Sequence, residues 1–260
     1  MMRLTEANYY SLKANQQMFS PSQIKSLHKC PAMAMAEING DYVRPMTQAL
    51  TVGQYVDEAL TGDLQAWLAQ HPEILKRDGT PKAEYVQAQE MVDRAKRDTM
   101  FMSYLSGKHQ EIITGKLFGQ YPFKGKLDCL KSNGIVDLKT VKDMQPVYVP
   151  GQGRVDFATA WDWPLQLAIY QELYRMKHKK RLPCYLAVIT KENPADIAII
   201  QVEQERLDAE LGWLEQEMPR FDAIKNGIIE PERCEHCAYC RESKILTGPV
   251  SLSEYEEDIV

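Results

Sequence analysis

No apolar run in this 260-residue chain approaches the roughly 20 residues that a membrane-spanning helix needs. The opening decapeptide, MMRLTEANYY, carries no signal-like hydrophobic stretch. The expected location is therefore the cytoplasm, with no membrane partner. Cysteine is sparse, with six thiols that a reducing compartment keeps out of disulfides. A strong charge of either sign is also lacking. A net charge of −5 gives no general attraction to a polyanion, so any nucleic-acid contact must be local. The run Arg175-Met176-Lys177-His178-Lys179-Lys180-Arg181 is one local candidate. Its simpler reading is a solvated helix end, where cations suit the helix dipole. Internal repeats and low-complexity linkers are absent, which excludes solenoid and array architectures.

What is present is an ordinary globular composition, 44% hydrophobic and 26% charged. The length suits a single α/β domain over residues 1–260. A helical part is expected over about 20–105, a core of strands and helix over about 108–203, a helix and cysteine-rich segment over about 204–245, and an acidic tail at 250–260. Ser20-Pro21-Ser22-Gln23 reads as a capped helix start, with Gln23 completing a capping box. Helices are expected over 20–39, 52–69 and 81–105, then strands over 111–118, 121–130 and 135–141. A long irregular segment over 142–160, containing Arg154, has the length of a functional loop. A helix over 161–177, strands over 183–190 and 196–202, and a helix over 204–226 complete the reading.

The most informative stretch is Asp128 to Lys139. Asn133-Gly134 is a strong two-residue hairpin signal. It predicts that Asp128 faces Lys139 and that Leu130 faces Asp137. Opposed residues share a face, so Asp128, Asp137 and Lys139 would project together. Two acids and a lysine suit a hard divalent cation beside a catalytic ammonium. Glu111, on the preceding strand, could add a carboxylate, although an exposed strand residue is the simpler reading.

The spacing Asp-x8-Asp-x-Lys resembles the PD-(D/E)xK nucleases. Three further features are similar to the RecB-like branch. Gln166 and Tyr170, four apart on one helix face, resemble the Gln-x3-Tyr motif. Gly53-Gln54-Tyr55-Val56-Asp57 resembles a Gly-x3-His motif, with aspartate at the histidine position and Glu58 as a competitor. Ser20-Pro21-Ser22 leading to Cys30-Pro31 is similar to the opening of relatives that bind an iron–sulfur cluster.

The resemblance implies a restriction-endonuclease-like core, a mixed β-sheet flanked by helices. It implies Asp128, Asp137 and Asp57 as ligands of Mg²⁺ or Mn²⁺, with the Leu138 carbonyl completing the shell. Lys139 would assist the attacking water, while Gln166 and Tyr170 organise the site. Cys234, Cys237 and Cys240 crowd together in a way that argues for metal rather than disulfides. Cys30 would be their fourth partner, holding a four-iron–four-sulfur (4Fe-4S) cluster, with Zn²⁺ as the rival. Cys129 and Cys184 read as core residues, and His236 as solvent-facing.

The activity implied is that of a phage-type exonuclease of the exonuclease VIII (RecE) kind. Such an enzyme digests DNA from duplex ends and works beside a single-strand annealing protein, as a homo-oligomer. Two alternatives remain at this point. One is a nuclease resembling the CRISPR adaptation exonucleases, and the other a DNA-binding scaffold with a decayed site.

Overall fold

The computed structural model describes residues 3–246, 248–249 and 251–252. The expected acidic tail lies outside these, apart from Ser251 and Leu252. Two short helices, α1 (Glu6–Tyr9) and α2 (Leu12–Gln17), precede α3 (Pro21–Lys29) and α4 (Pro31–Asn39). Ser20 caps α3 by accepting from the Gln23 amide at 3.3 Å. The expected capping box does not close. The Gln23 side chain donates to the Asn15 carbonyl at 2.9 Å and accepts from Lys225 Nζ at 3.1 Å. The helix expected over 20–39 is two helices, because Pro31 lacks an amide and holds Cys30 extended (φ −160°, ψ 95°).

Next come α5 (Gln48–Thr61), α6 (Leu64–Gln70), α7 (Ala83–Lys96) and α8 (Thr99–Tyr104). The two remaining long helices expected in this region are also divided. Asp63 caps α6 through the Ala66 amide at 3.0 Å, and Asp98 caps α8 through the Phe101 amide at 2.8 Å. A side-chain cap can start a new helix without disturbing the apolar period, so periodicity alone joins the two halves.

Seven strands follow among the described residues: β1 (Lys108–Leu117), β2 (Tyr121–Lys131), β3 (Gly134–Val141), β4 (Val147–Val149), β5 (Gly153–Val155), β6 (Cys184–Thr190) and β7 (Ile197–Val202). Five of them form one mixed sheet in the order β1-β2-β3-β6-β7. Only β3 and β6 run parallel. Parallel neighbours need a crossover, and α10 (Trp163–His178) supplies it, preceded by α9 (Phe157–Ala160). The expected loop over 142–160 is not wholly irregular, since β4 and β5 make a small antiparallel hairpin within it. After the sheet, α11 (Gln204–Lys225) and α12 (Ala238–Glu242) finish the described fold.

Both faces of the sheet are covered. Ile135 and Val141 join a core with α3, α10 and α11, while Val136 and Leu138 join a second core with α5, α7 and α8. This alternation sends Asp137 and Lys139 to the α10 face. The basic run covers the last turn of α10 and the three residues just past it. Arg175 is held by Glu172 through two contacts of 2.6 Å, and Arg181 pairs with Asp208 at 3.2 Å. Among the described residues, no helix is long and apolar enough to cross a membrane.

Candidate active site

The β2–β3 hairpin differs in register from expectation. Lys131 pairs with Gly134, Leu130 with Ile135 and Cys129 with Val136. The turn is therefore Ser132-Asn133, and Gly134 belongs to the strand. Gly134 serves packing rather than the turn: a Cβ there would lie 3.0 Å from the Tyr185 ring. The shift moves one strand by two residues against the other, so every side chain keeps its face.

Beyond Cys129 the two strands part, β2 staying with β1 and β3 with β6. Further along β2, Phe19 takes the vacated edge. Its amide donates to the Pro122 carbonyl and its carbonyl accepts from the Lys124 amide, both at 2.8 Å. The gap between Phe19 and the hairpin end frames the site. The β1–β2 ladder skips Gln110 and Asp128, and Gln110 has φ +55°. Leu127 joins the α10-side core whereas Cys129 joins the opposite one, although residues two apart normally share a face. Local distortions of this kind re-aim side chains at functional sites. Here Asp128 turns into the gap, where its Oδ2 accepts the Leu138 amide at 3.0 Å.

The three expected residues meet there. Lys139 Nζ lies 2.6 Å from Asp137 Oδ2 and 3.9 Å from Asp128 Oδ2. Asp137 is fully buried, and its Oδ2 finds no well-aligned hydrogen bond despite the neighbouring ammonium. Burial, and then the Asp137 charge, holds the Asp128 carboxyl well above the usual aspartate range. For Lys139, burial works against the charged form, but Asp137 and Asp128 outweigh it and raise the ammonium above its ordinary value.

α10 contributes the expected Gln166 and Tyr170. Gln166 Nε2 donates to Asp137 Oδ1 at 2.8 Å and to Tyr170 Oη at 3.3 Å. Gly125 makes room for Tyr170, since a Cβ there would meet the ring at 2.9 Å. Burial, followed by the charges of Asp137 and Asp128, keeps the Tyr170 phenol strongly protonated.

α5 reaches the site from the other face. Gly53 lets it approach β3, for a Cβ there would stand 3.2 Å from Thr140 Oγ1. One turn later, Asp57 accepts from Thr61 Oγ1 at 2.7 Å and from Gln110 Nε2 at 3.2 Å. Burial raises its carboxyl and the Thr61 bond opposes that rise, with Lys139 and Asp137 close enough to add their charges. Glu58 is used elsewhere, accepting the Asp63 amide at 3.0 Å beside Gly62. Glu111 is half-buried on β1, and it is Gln110 that bonds to Asp57.

Sequence reasoning missed Lys25. Its Nζ donates to Gln166 Oε1 at 2.8 Å. An ammonium can only donate, so it takes the amide oxygen and leaves Nε2 for Asp137. Burial, helped by the Lys139 charge, pushes Lys25 down to about 8. Trp163 was missed as well, with its ring centroid 5.9 Å from Lys139 Nζ. Lys25 lies one helical turn from Pro21 and Ser22, so the motif at the start of α3 pointed to the right helix but not to this residue.

A second cluster joins the two ends of the fold. Cys30, Cys234, Cys237 and Cys240 bring their sulfurs within 4.8 Å of one another, the one such group of metal-capable side chains among the described residues. Cys30 and Cys240 are buried, and His236 is exposed outside the group. Cys129 and Cys184 are fully buried in the cores.

The comparisons bear on the family and the fold. Residues 20–243 match the family described as a PDDEXK-like domain of unknown function (DUF3799). The fold superposes on the crystal structure of a Eubacterium rectale protein described as a "Putative exonuclease", with TM-score 0.94, 37% sequence identity and 98% of each chain covered. No curated protein matches the chain. With a matching sequence over most of its length and a mixed sheet that carries the acid–lysine group at a parted hairpin, the chain belongs to the PDDEXK-like DUF3799 family, within the PD-(D/E)xK nuclease superfamily.

Proposed function

We propose that this protein is a deoxyribonuclease that needs Mg²⁺ or Mn²⁺ and hydrolyses phosphodiester bonds from DNA duplex ends. One observation carries the reading: Lys139 lies against both Asp137 and Asp128 at the point where β2 and β3 part. A core would not assemble two acids and a lysine there without use, because burying such charges is costly.

The donor set suits a hard divalent cation. Asp137 Oδ2 is buried without a well-aligned hydrogen bond, and Asp128 resists ionising beside it. Asp128 and Asp137 would hold the ion, with Asp57 as third carboxylate. In an extended strand the N–H and C=O of one residue point to the same side. The Leu138 amide points at Asp128, so its carbonyl is aimed toward the same gap. When bound, the cation would supply Lewis-acid activation of water and of the phosphoryl group.

The remaining roles belong to the chain. Lys139 stays an ammonium at neutral pH, because its raised value favours the charged form. It therefore donates to the attacking water or to a phosphoryl oxygen, rather than removing a proton. Gln166 fixes the Asp137 carboxylate, and Tyr170 receives the second Gln166 bond. Lys25 is a positioning residue that sets the Gln166 amide. The β4–β5 hairpin pairs Tyr148 with Arg154, both exposed, which suits contact with a DNA backbone.

The neighbour's description supports exonuclease action. The resemblance to exonuclease VIII-type enzymes extends the proposal to phage recombination, a single-strand annealing partner and a homo-oligomer. A decayed scaffold is the weaker reading, since the chain Lys25–Gln166–Asp137–Lys139 keeps every contact. The test is end-labelled linear duplex against closed circular DNA with Mg²⁺ or Mn²⁺. Release of nucleotides from the linear substrate alone is expected. Cutting of circles would make the protein an endonuclease, and no cutting of either would overturn the enzyme reading.

A further inference from the structure

The family resemblance points to a four-iron–four-sulfur cluster, but the spacing of the sulfurs does not. Cys30 Sγ lies 3.6 Å from Cys240 Sγ and 3.8 Å from Cys237 Sγ, and Cys234 Sγ lies 4.0 Å from Cys240 Sγ. These distances are far beyond the roughly 2.05 Å of a disulfide. A tetrahedral zinc ion bonded at about 2.3 Å to each thiolate sets its four sulfurs roughly 3.8 Å apart. A cubane cluster binds each thiolate through a different iron, so its four cysteine sulfurs stand apart by the breadth of the cluster. The observed set leaves room for one ion between the sulfurs and none for eight cluster atoms.

The surrounding backbone reinforces the compact arrangement. Cys30 accepts the Met33 amide at 3.5 Å, Cys234 the Cys237 amide at 3.3 Å, and Cys237 the Cys240 amide at 3.4 Å. Each is the same three-residue reach, with a backbone amide aimed at the sulfur. Cys30 opens α4 and Cys237 opens α12, so two helix starts deliver two of the ligands. The side chains that close around the group are Ala32, Met33 and Tyr239. The Ala32 amide donates to the Glu232 carbonyl at 3.0 Å, fixing the N-terminal limb against the C-terminal one.

We infer that Cys30, Cys234, Cys237 and Cys240 hold a single structural Zn²⁺ in place of an iron–sulfur cluster. The ion ties α4 to the segment beyond α11 and is closed to substrate, since all four positions are taken by sulfur. It takes no part in hydrolysis, so the inference stands or falls independently of the nuclease reading.

The test is elemental analysis of the full chain, produced with both iron and zinc supplied and purified without air. One zinc per chain with no acid-labile sulfide is expected. Four irons and four sulfides per chain would overturn the inference, and so would a folded chain with neither metal. Protein produced in cobalt-supplemented medium gives a second readout. Tetrahedral four-thiolate cobalt absorption, displaced by zinc, is expected, and its absence would contradict the site. A Cys234→Ser variant, altering a partly exposed ligand, should lose that four-sulfur spectrum. An unchanged spectrum would also count against the assignment.

Discussion

The carboxylate centre and the cysteine group are built in opposite ways. At the first, the proposed ligands Asp128 and Asp137 come from one hairpin, and like charges are forced together. Asp128 is pushed well above its ordinary range by burial and by Asp137, and Lys139 is retained between them. At the second, thiols more than 200 residues apart in the chain converge, and three of the four, Cys30, Cys234 and Cys237, each accept an amide. The first arrangement is costly on its own, and on the proposed reading a cation would relieve it. The second is closed on itself. A site that must bind and release substrate phosphates keeps unsatisfied charge, whereas a structural site does not.

The contrast can be broken from the carboxylate side. Lys139→Ala is expected to lower DNA cleavage by about 10²–10³-fold while far-UV circular dichroism keeps the parent's form, with the metal-free Tm lowered because Asp137 and Asp128 lose the ammonium between them. Unchanged turnover would remove Lys139 from the chemistry. Asp57→Asn should weaken Mn²⁺ binding by about 10–100-fold in calorimetry. Unchanged affinity would leave Asp57 as a hydrogen-bond partner of Thr61 and Gln110 only.

Lys25→Met should cost about tenfold in kcat, since Gln166 loses the charged donor that orients its amide. The sign of its pH dependence is fixed. Burial lowers Lys25 to about 8, so its ammonium is present below that pH and lost above it. The gap between parent and variant should therefore narrow above about pH 8, and Lys25→Arg should keep it open. A gap independent of pH would mean that Lys25 acts by packing alone.

The smallest effect expected is on stability. The Asp128 carboxyl is raised in the folded chain, so the folded state binds this proton more tightly than the unfolded state. Stability of the metal-free protein is therefore lost as pH rises from the usual aspartate range through the raised value. Asp128→Asn never ionises. At neutral pH its metal-free Tm should rise by a few degrees, and added Mg²⁺ should no longer raise it. A lower Tm than the parent would contradict the like-charge account.

Legibility followed the distance over which each feature is determined. The strand limits and the shared face of Asp137 and Lys139 were readable because alternation is local. The turn was misplaced by one residue because Gly134 answers to Tyr185, more than 50 positions away. The helix breaks before Asp63 and Asp98 were hidden because caps leave the apolar period intact, whereas the break at Cys30 follows from Pro31, which the sequence displays. Lys25 was invisible for a similar reason. Nothing within its own helix indicates that its partner is Gln166 on α10. The Asp128 distortion was missed too, as a positive φ at Gln110 has no glycine to announce it.

The most direct test of the carboxylate centre is a crystal structure with Mn²⁺ soaked in, read by anomalous scattering. A manganese peak is expected within coordination distance of Asp128, Asp137 and the Leu138 carbonyl, with Asp57 in the same shell and Lys139 swung toward the open side. An empty gap at a Mn²⁺ concentration that saturates any cleavage would contradict the assignment of the parted hairpin as the metal centre.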